Sequence, residues 1–495
     1  MAARRLDAPP WKIALGLGAV LFLLDACLVP SFVGWYDTGE LLAATAALGI
    51  SHPSGQALYH LLGKCFLAFP FGAPPWRLGL LSAAAGALAS ALFFLLACRL
   101  GERLAPHPDR PLSPTLRLWL AVLTLAWSLS LPWWTYAVTQ LVYSLHLALI
   151  LGALWIAASR HPRKWQGAAL VLGAAVVFRP TQFFGLACLG ALYFHETRRR
   201  RTGKLRRLAV VASFFLLGWS TALYLPLRSA LHPAIAFAAL DHPAALLRHL
   251  LALKFSPSLG SASPGAMAAI LHQMARRLWE DLTPLGCLLS AWGIFLAWRL
   301  RSRLPGFFWA GAAWALLESL LVVSVPYPTF ESHQFLYPWA FLGLTAALSL
   351  AWLSHLEVRL DGRGLHRVLA WKKVLPLLLG FWALAQLSRI GVPWDRLHER
   401  GAQDFARDVL DSLGRSALYV PSEENQYFPV VGYQLAFGVR PDVEILEPGK
   451  DSHDAVGEKL RAALLAGRPV YLNRPVEGLA PGWRFKPEGP LLQIT

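Results

Sequence analysis

Two short stretches near the start of the chain carry residue types suited to chemistry. The first is Trp35-Tyr36-Asp37-Thr38-Gly39-Glu40. An i, i+3 pair of acids lies on one side of a first helical turn. Held at a membrane surface, such a pair can serve as a general base or hold a divalent cation. The same spacing also makes a capping box, with Asp37 as N-cap and Glu40 three positions on. The helix would then run through Leu41–Leu48 and stop at Gly49, a favoured residue just past a helix end. The second stretch is Ser51-His52-Pro53-Ser54-Gly55-Gln56-Ala57-Leu58-Tyr59. Its proline and glycine make a tight turn that presents His52 outside any helix. A single histidine in such a place is a working residue, a structural one or merely an exposed one. Asp25 and Glu318 are different, because they sit inside apolar stretches. An ionised side chain at mid-bilayer costs about 2.5–3.5 kcal/mol, so each must face protein or water.

The elements that position these residues follow from composition. Only 15% of the 495 residues are charged and 56% are hydrophobic, whereas a soluble chain carries about 25% charged residues. Apolar stretches recur near residues 12–30, 78–98, 116–131, 140–158, 165–179, 181–195, 208–225, 283–298, 306–325, 335–354 and 373–390. Crossing the hydrocarbon core takes about 20 such residues. The expectation is an α-helical polytopic membrane protein with about 11 transmembrane helices. The first stretch reads as a retained helix, not a cleaved leader. The five cysteines lie in or beside apolar runs without CxxC spacing, so neither a zinc site nor a disulfide framework is suggested.

A net charge of +17 suits a nucleic-acid binder or a membrane protein with basic loops. The Lys and Arg residues fall in short clusters between the apolar stretches, which excludes the former. With the N-terminus in the cytoplasm, the clusters at Arg99–Arg110, Arg160–Lys164, Arg198–Arg207, Arg299–Arg303 and Arg359–Lys373 all fall inside. The short outside connections Pro132–Thr139 and Pro326–Gln334 hold no Lys or Arg. This is the positive-inside pattern, with Arg179 in the tight outside turn between the fifth and sixth stretches as its one exception. It puts Asp37, Glu40 and His52 in a first outer loop, residues 31–76. A second outer loop spans 226–282, with an amphipathic helix expected over Ala266–Leu278 lying on the membrane. Aromatic residues gather at the outer face: Trp35, Tyr36, Trp76, Trp133, Trp134, Tyr136, Tyr327, Tyr337 and Trp339. Most read as an interfacial belt. Beyond about 393 the character changes. Helix-like Gly401–Leu413 and Asp451–Leu465 alternate with β-rich Ala417–Val420, Val443–Leu446 and Pro469–Leu472. This predicts a small extracytoplasmic α/β domain over 393–495, with a mainly parallel sheet, after a transmembrane domain over 1–392. Glu424–Pro429 is either a loop or a helix start.

The order Asp-x-x-Glu, short helix, His-Pro-x-Gly-x-x-Leu-Tyr, and then Arg77 before Ser82-Ala83-Ala84 resembles the first outer loop of GT-C superfamily glycosyltransferases. The match is to the protein O-mannosyltransferase-like family. Tyr224-Leu225-Pro226-Leu227-Arg228-Ser229, Asp241-His242-Pro243 and Gly438-Val439-Arg440-Pro441-Asp442-Val443 extend it along the chain. Two places depart. Leu141-Val142-Tyr143 stands where the family often has Glu-Val-Tyr, and Phe178-Arg179-Pro180-Thr181 replaces a histidine-rich turn. The resemblance implies a GT-C-like fold and a glycosyltransferase. It would move a sugar from a polyprenyl-phosphate carrier to a protein or other acceptor on the outer face of the membrane. Asp37 would be the base and Glu40 would orient the acceptor, share the base role or help hold a metal. Donor binding would fall to His52, Arg77, Arg179, Arg228, Glu331 and His333. A guanidinium fork suits phosphate, which favours Arg228 and then Arg179. Arg228 also reads as a snorkelling interfacial arginine, Arg179 as a helix-end anchor, and Glu331 and His333 as solvated loop residues. No cofactor is implied beyond a divalent cation at Asp37 and Glu40. The partners would be the lipid-linked sugar, the acceptor and the bilayer, with no nucleic acid. A transporter and a non-catalytic membrane scaffold with an outer binding domain are the alternatives.

Overall fold

A computed structural model of the chain describes residues 9–104, 111–199, 202–326, 332–359, 365–389, 399–448, 452–474 and 484–494. Each of the eleven apolar stretches folds as helix. The first is α1, Pro10–Leu28. The loop after it folds as two short helices, α2 (Asp37–Ala47) and α3 (Ala57–Leu67). Next come α4 (Pro74–Leu104), α5 (Pro114–Ser128), α6 (Leu131–Val138), α7 (Tyr143–Ala158), α8 (Lys164–Phe178), α9 (Gln182–Thr197) and α10 (Lys204–Trp219). The second long loop holds α11 (Tyr224–Ser229) and α12 (Pro243–Leu250). Then follow α13 (Pro264–Arg299), α14 (Gly306–Ser324), α15 (Leu336–Arg359) and α16 (Leu365–Arg389).

Among the described residues six helices are long and apolar enough to cross a membrane, and the bent pair α5–α6, at 68°, makes a seventh if it is one span. Helices of 15 or 16 residues such as α7 and α8 reach only about 24 Å, less than the roughly 30 Å core. Small residues let the helices approach closely. A Cβ on Gly86 of α4 would lie 2.7 Å from the Ala137 methyl of α6. The amphipathic stretch expected over Ala266–Leu278 is not a separate helix. It runs into the next span as α13, kinked at Thr283 (φ 59°) just before Pro284. The interfacial belt is also corrected. Trp133, Trp134, Tyr337 and Trp339 are each at most 3% exposed and pack in the core, because α6 and α15 turn these faces toward α4 and α5 rather than toward lipid.

The C-terminal unit carries α17 (Gly401–Ser412), α18 (Glu424–Phe437) and α19 (His453–Leu465) around a five-stranded sheet. Glu424 therefore opens a helix. The strands are β1 (Leu418–Val420), β2 (Glu444–Ile445), β3 (Val470–Leu472), β4 (Phe485–Glu488) and β5 (Leu491–Ile494), in the order β2-β1-β3-β5-β4. β1 runs parallel to β2 and β3, while β5 is antiparallel to β3 and β4. The sheet is mixed, because the last two strands form a tight hairpin at Gly489 instead of a helical crossover. The expected boundary between 392 and 393 lies outside the described residues.

Candidate active site

The capping box is not formed. Helix α2 begins at Asp37 itself, and Tyr36 takes the N-cap position at φ 53° without a side-chain hydrogen bond. Thr38 Oγ1 instead donates to the Trp35 carbonyl at 2.6 Å. Glu40 is thereby released from capping, and both acids lie at the positive end of the helix dipole. Glu40 turns inward and is 1% exposed. Its carboxylate accepts the His52 backbone N–H at 2.6 Å and meets His52 Nδ1 at 2.5 Å. Burial alone would pull the His52 imidazole down. The charge of Glu40 and its hydrogen bond outweigh that, with smaller pulls from Asp37 and Glu424, and push it up to about 9. At neutral pH the imidazole therefore carries its second proton.

Asp37, Glu40 and His52 offer ligand atoms within 4.8 Å of one another. Two carboxylates and one imidazole suit Mn²⁺ or Zn²⁺ better than Mg²⁺. An ion there would have to displace the proton that His52 shares with Glu40. The trio therefore fits a cation by geometry and a proton by its hydrogen bonding.

A buried polar chain sits behind the trio. Gln56 lies between His52 and Ser51. Ser51 Oγ is 2.9 Å from His60 Nε2, and Thr45 Oγ1 is 3.0 Å from His60 Nδ1. Thr45 donates in turn to the Leu41 carbonyl at 2.6 Å. The chain thus returns to α2, one turn beyond Glu40. Burial pulls His60 down to about 3, so it is neutral. His249 of α12 packs beneath the same turn, pulled down by burial to about 4.

Two residues of the Tyr224–Ser229 stretch, Arg228 and Tyr224, hold the far end of α2. The helix stops at Leu48, which takes the left-handed conformation at φ 49°. Gly49 is needed for space, not for φ: a Cβ there would strike the Ile235 carbonyl. Arg228 donates to the Leu48 carbonyl at 2.5 Å and to the Ala47 carbonyl at 3.1 Å, and Tyr224 donates to the Gly49 carbonyl at 2.7 Å. Ser229 Oγ accepts the Leu240 N–H at 2.7 Å.

A cationic and aromatic cluster is tied to the His52 turn through Ser54. Ser54 Oγ donates to the carbonyls of Val177 and Phe178, at 2.8 and 2.5 Å, and so ties the His52 turn to the residue before Arg179. Phe178 and Val142 pack with Leu41 and Leu42 of α2. The Arg179 guanidinium lies 5.6 Å over the Tyr143 ring. His333 stacks on the same ring at 4.3 Å, and its backbone N–H donates to Tyr136 Oη at 3.0 Å. A cavity of about 60 Å³ opens here, lined by Arg179, Thr181, Glu318 and Gln334. Glu318 is buried and accepts from Gln182 at 3.2 Å and Trp314 at 3.3 Å, which answers the need of that intramembrane acid for protein partners. Lys164 at the start of α8 pairs with Glu196 at the end of α9 at 2.7 Å, so the two helices run antiparallel and Arg179 and Arg198 lie at opposite ends of the pair.

Residues 37–203 match the family described as protein O-mannosyl-transferase TMEM260 N-terminal domain. The mouse protein O-mannosyl-transferase TMEM260 is 23% identical over 503 residues, covering 96% of this chain and 69% of the mouse protein. Two crystal structures of ArnT from Cupriavidus metallidurans share the fold. The apo form has a TM-score of 0.59 at 12% identity, covering 98% of this chain and 97% of ArnT. The form bound to undecaprenyl phosphate has a TM-score of 0.59 at 13% identity, with the same coverage. This chain is a multi-pass membrane glycosyltransferase with the fold of ArnT, and it is similar to the protein O-mannosyl-transferase TMEM260 family.

In this glycosyltransferase the structure gathers Asp37, Glu40 and His52 into one group and sets Arg179 and His333 each against the Tyr143 ring. It sets two of the expected donor-binding residues apart. Arg228 caps the carbonyl end of α2, and Arg77 donates through Nη1 to the carbonyls of Leu67 and Phe69, both at 2.6 Å, closing the turn after α3. Glu331 lies outside the described residues. Tyr143, His60 and Gln182 went unnoticed in the sequence. Tyr143 was legible only as the remnant of Glu-Val-Tyr. His60 and Gln182 sit in apolar helices with no spacing that marks them.

Proposed function

We propose that this glycosyltransferase takes its sugar from a polyprenyl phosphate and passes it to a hydroxyl of a protein or other acceptor at the outer face of the membrane. Asp37 is the base. The acceptor oxygen attacks the anomeric carbon as its proton passes to the Asp37 carboxylate. The bond from that carbon to the phosphate oxygen breaks, and the polyprenyl phosphate leaves with the electron pair. Attack opposite the leaving group inverts the anomeric centre. Glu40, locked to His52, orients the first turn of α2 and the acceptor. Arg179, over the Tyr143 ring on which His333 also stacks, meets the charge that develops on the leaving phosphate.

One observation carries this reading: Asp37 and Glu40, on the first turn of α2, converge with His52, and Ser54 ties the His52 turn to the backbone just before Arg179. The undecaprenyl phosphate in the ArnT structure and the mannosyl transfer named for the mouse relative support the donor and acceptor classes. The loop charges support an orientation with the N-terminus in the cytoplasm and the C-terminal domain outside, in the periplasm if the source is a bacterium. A cation held by Asp37, Glu40 and His52 would polarise the acceptor oxygen or the phosphate.

The test supplies purified protein with polyprenyl-phosphate sugars and a hydroxyl acceptor, with Asp37 intact and as Asp37→Asn. Turnover in the parent that falls at least about 100-fold in the variant supports the assignment. Equal turnover in both removes Asp37 from the mechanism.

A further inference from the structure

The C-terminal domain grips the segment that carries Asp37 at both ends. Ahead of α2, the Val33 N–H donates to Gln403 Oε1 at 3.1 Å. Beside it, the Trp35 ring lies 5.8 Å from that of Phe405, and the Arg400 guanidinium sits 6.0 Å over Phe32. Along α2 itself, the helix crosses α18 backbone to backbone. A Cβ on Gly39 would lie 2.6 Å from the Phe428 carbonyl oxygen, and one on Gly432 would lie 2.8 Å from the Gly39 carbonyl oxygen. Neither position has room for any side chain. The crossing is sealed by Ala43 and Ala44 against Tyr427, Phe428 and Val431, with Ile235 of the second long loop closing the same cluster.

The two sides of α2 therefore answer to different parts of the chain. Glu40 is held by the His52 turn of the transmembrane domain. Gly39, its neighbour, is held by α18. Asp37 precedes both by two or three residues, on the same first turn. Packed interiors transmit displacement instead of absorbing it. A shift of α18 reaches Asp37 through one pair of touching backbones.

We propose that the C-terminal domain is a positioning part of the transfer site, with Gly432 and Gly39 setting where Asp37 stands. This rests on the glycosyl-transfer reading and deepens it. Neither glycine touches substrate; both act through α2. The arrangement gives the domain a use beyond holding an acceptor: occupancy that moves α18 also moves the base.

The experiment uses the full chain in detergent, as Gly432→Ala, as Gln403→Ala and, for control, as Leu465→Ser. Leu465 is 89% exposed in the same domain. Gly432→Ala forces the crossing apart by a few tenths of an ångström, while Gln403→Ala removes the forward grip without adding bulk. Two readouts are taken. Hydrogen exchange is followed at the amides of Leu41–Thr45 and, for reference, in the middle of α4. Transfer from a polyprenyl-phosphate sugar gives kcat and the donor KM. A misplacement of about 1 Å at a reacting group costs about 100-fold, so a few tenths predicts about 10-fold in kcat. The expected result is faster exchange in α2 but not α4, kcat down about 10-fold, unchanged donor KM, and no effect of Leu465→Ser. Unchanged exchange and unchanged kcat in both test variants overturn the proposal. Faster exchange in α2 with full turnover also overturns it, leaving the contact as packing alone. A parent without turnover on any donor sinks the transfer reading and this proposal with it, and the exchange data then report the crossing only.

Discussion

Replacing Glu40 by Gln removes a charge and little else. The amide keeps the shape of the side chain and can still accept the His52 backbone N–H, now held at 2.6 Å. What it loses is the pull on the imidazole. In the parent that pull lifts His52 from its ordinary 6.5 to about 9, against the opposing effect of burial. At about 1.4 kcal/mol per pH unit the rise is worth about 3 kcal/mol. The sign follows from the direction of the rise. A histidine raised on folding adds stability fully below pH 6.5, and that contribution is lost as pH climbs through about 9. Glu40→Gln should therefore destabilise the protein most near pH 6, by up to about 3 kcal/mol, and progressively less toward pH 9.5. Thermal unfolding of parent and variant in detergent, with a chelator present, at pH 6, 7.5 and 9.5 measures this. The gap between the two midpoints should amount to several degrees at pH 6 and close as pH rises. A gap that stays constant, or widens with pH, refutes the reasoning: Glu40 would then stabilise α2 by something other than its bond to a charged His52.

Arg179→Lys keeps a charge but not the planar fork stacked on Tyr143. Donor KM should rise about 10-fold in transfer kinetics, and Arg179→Ala should cost more. Arg228→Ala uncovers the carbonyls of Ala47 and Leu48. Losing two charge-assisted bonds should destabilise the protein by about 2–3 kcal/mol, read as a lowered melting midpoint, while donor KM stays put. A change confined to donor KM would return Arg228 to the phosphate. Metal dependence is read by adding Mn²⁺ or Zn²⁺ to chelator-treated enzyme. A bound cation at the trio should raise the melting midpoint of the parent and leave that of His52→Ala unmoved. Finally, single cysteines at Tyr36, which is 63% exposed, and at Arg206, in a chain stripped of native cysteines, should react with an impermeant reagent from opposite sides of the membrane.

Much of this protein is written locally. The eleven apolar stretches, the charge clusters between them and the change of character near residue 393 each follow from residues adjacent in sequence. Helix formation in apolar stretches depends on local averages, so it survives without knowledge of neighbours. Asp37, Glu40 and His52 were also legible, as residue types at a spacing. Their relation was not. Sequence leaves capping and pairing open for Glu40, because a capping box and a carboxylate freed for His52 share the same letters. The fold decides between them by giving Tyr36 the N-cap position and laying the Ser51–Gln56 turn against α2. Arg228 shows the same limit. A guanidinium near a helix end suits phosphate as well as it suits carbonyls, and only the meeting of α11 with the end of α2 selects the carbonyls. Gly432 is the extreme case. Nothing near it in sequence distinguishes it, and its meaning lies in a backbone carbonyl of a residue almost four hundred positions away. Contacts of that kind depend on how whole elements pack, which short-range pattern does not encode.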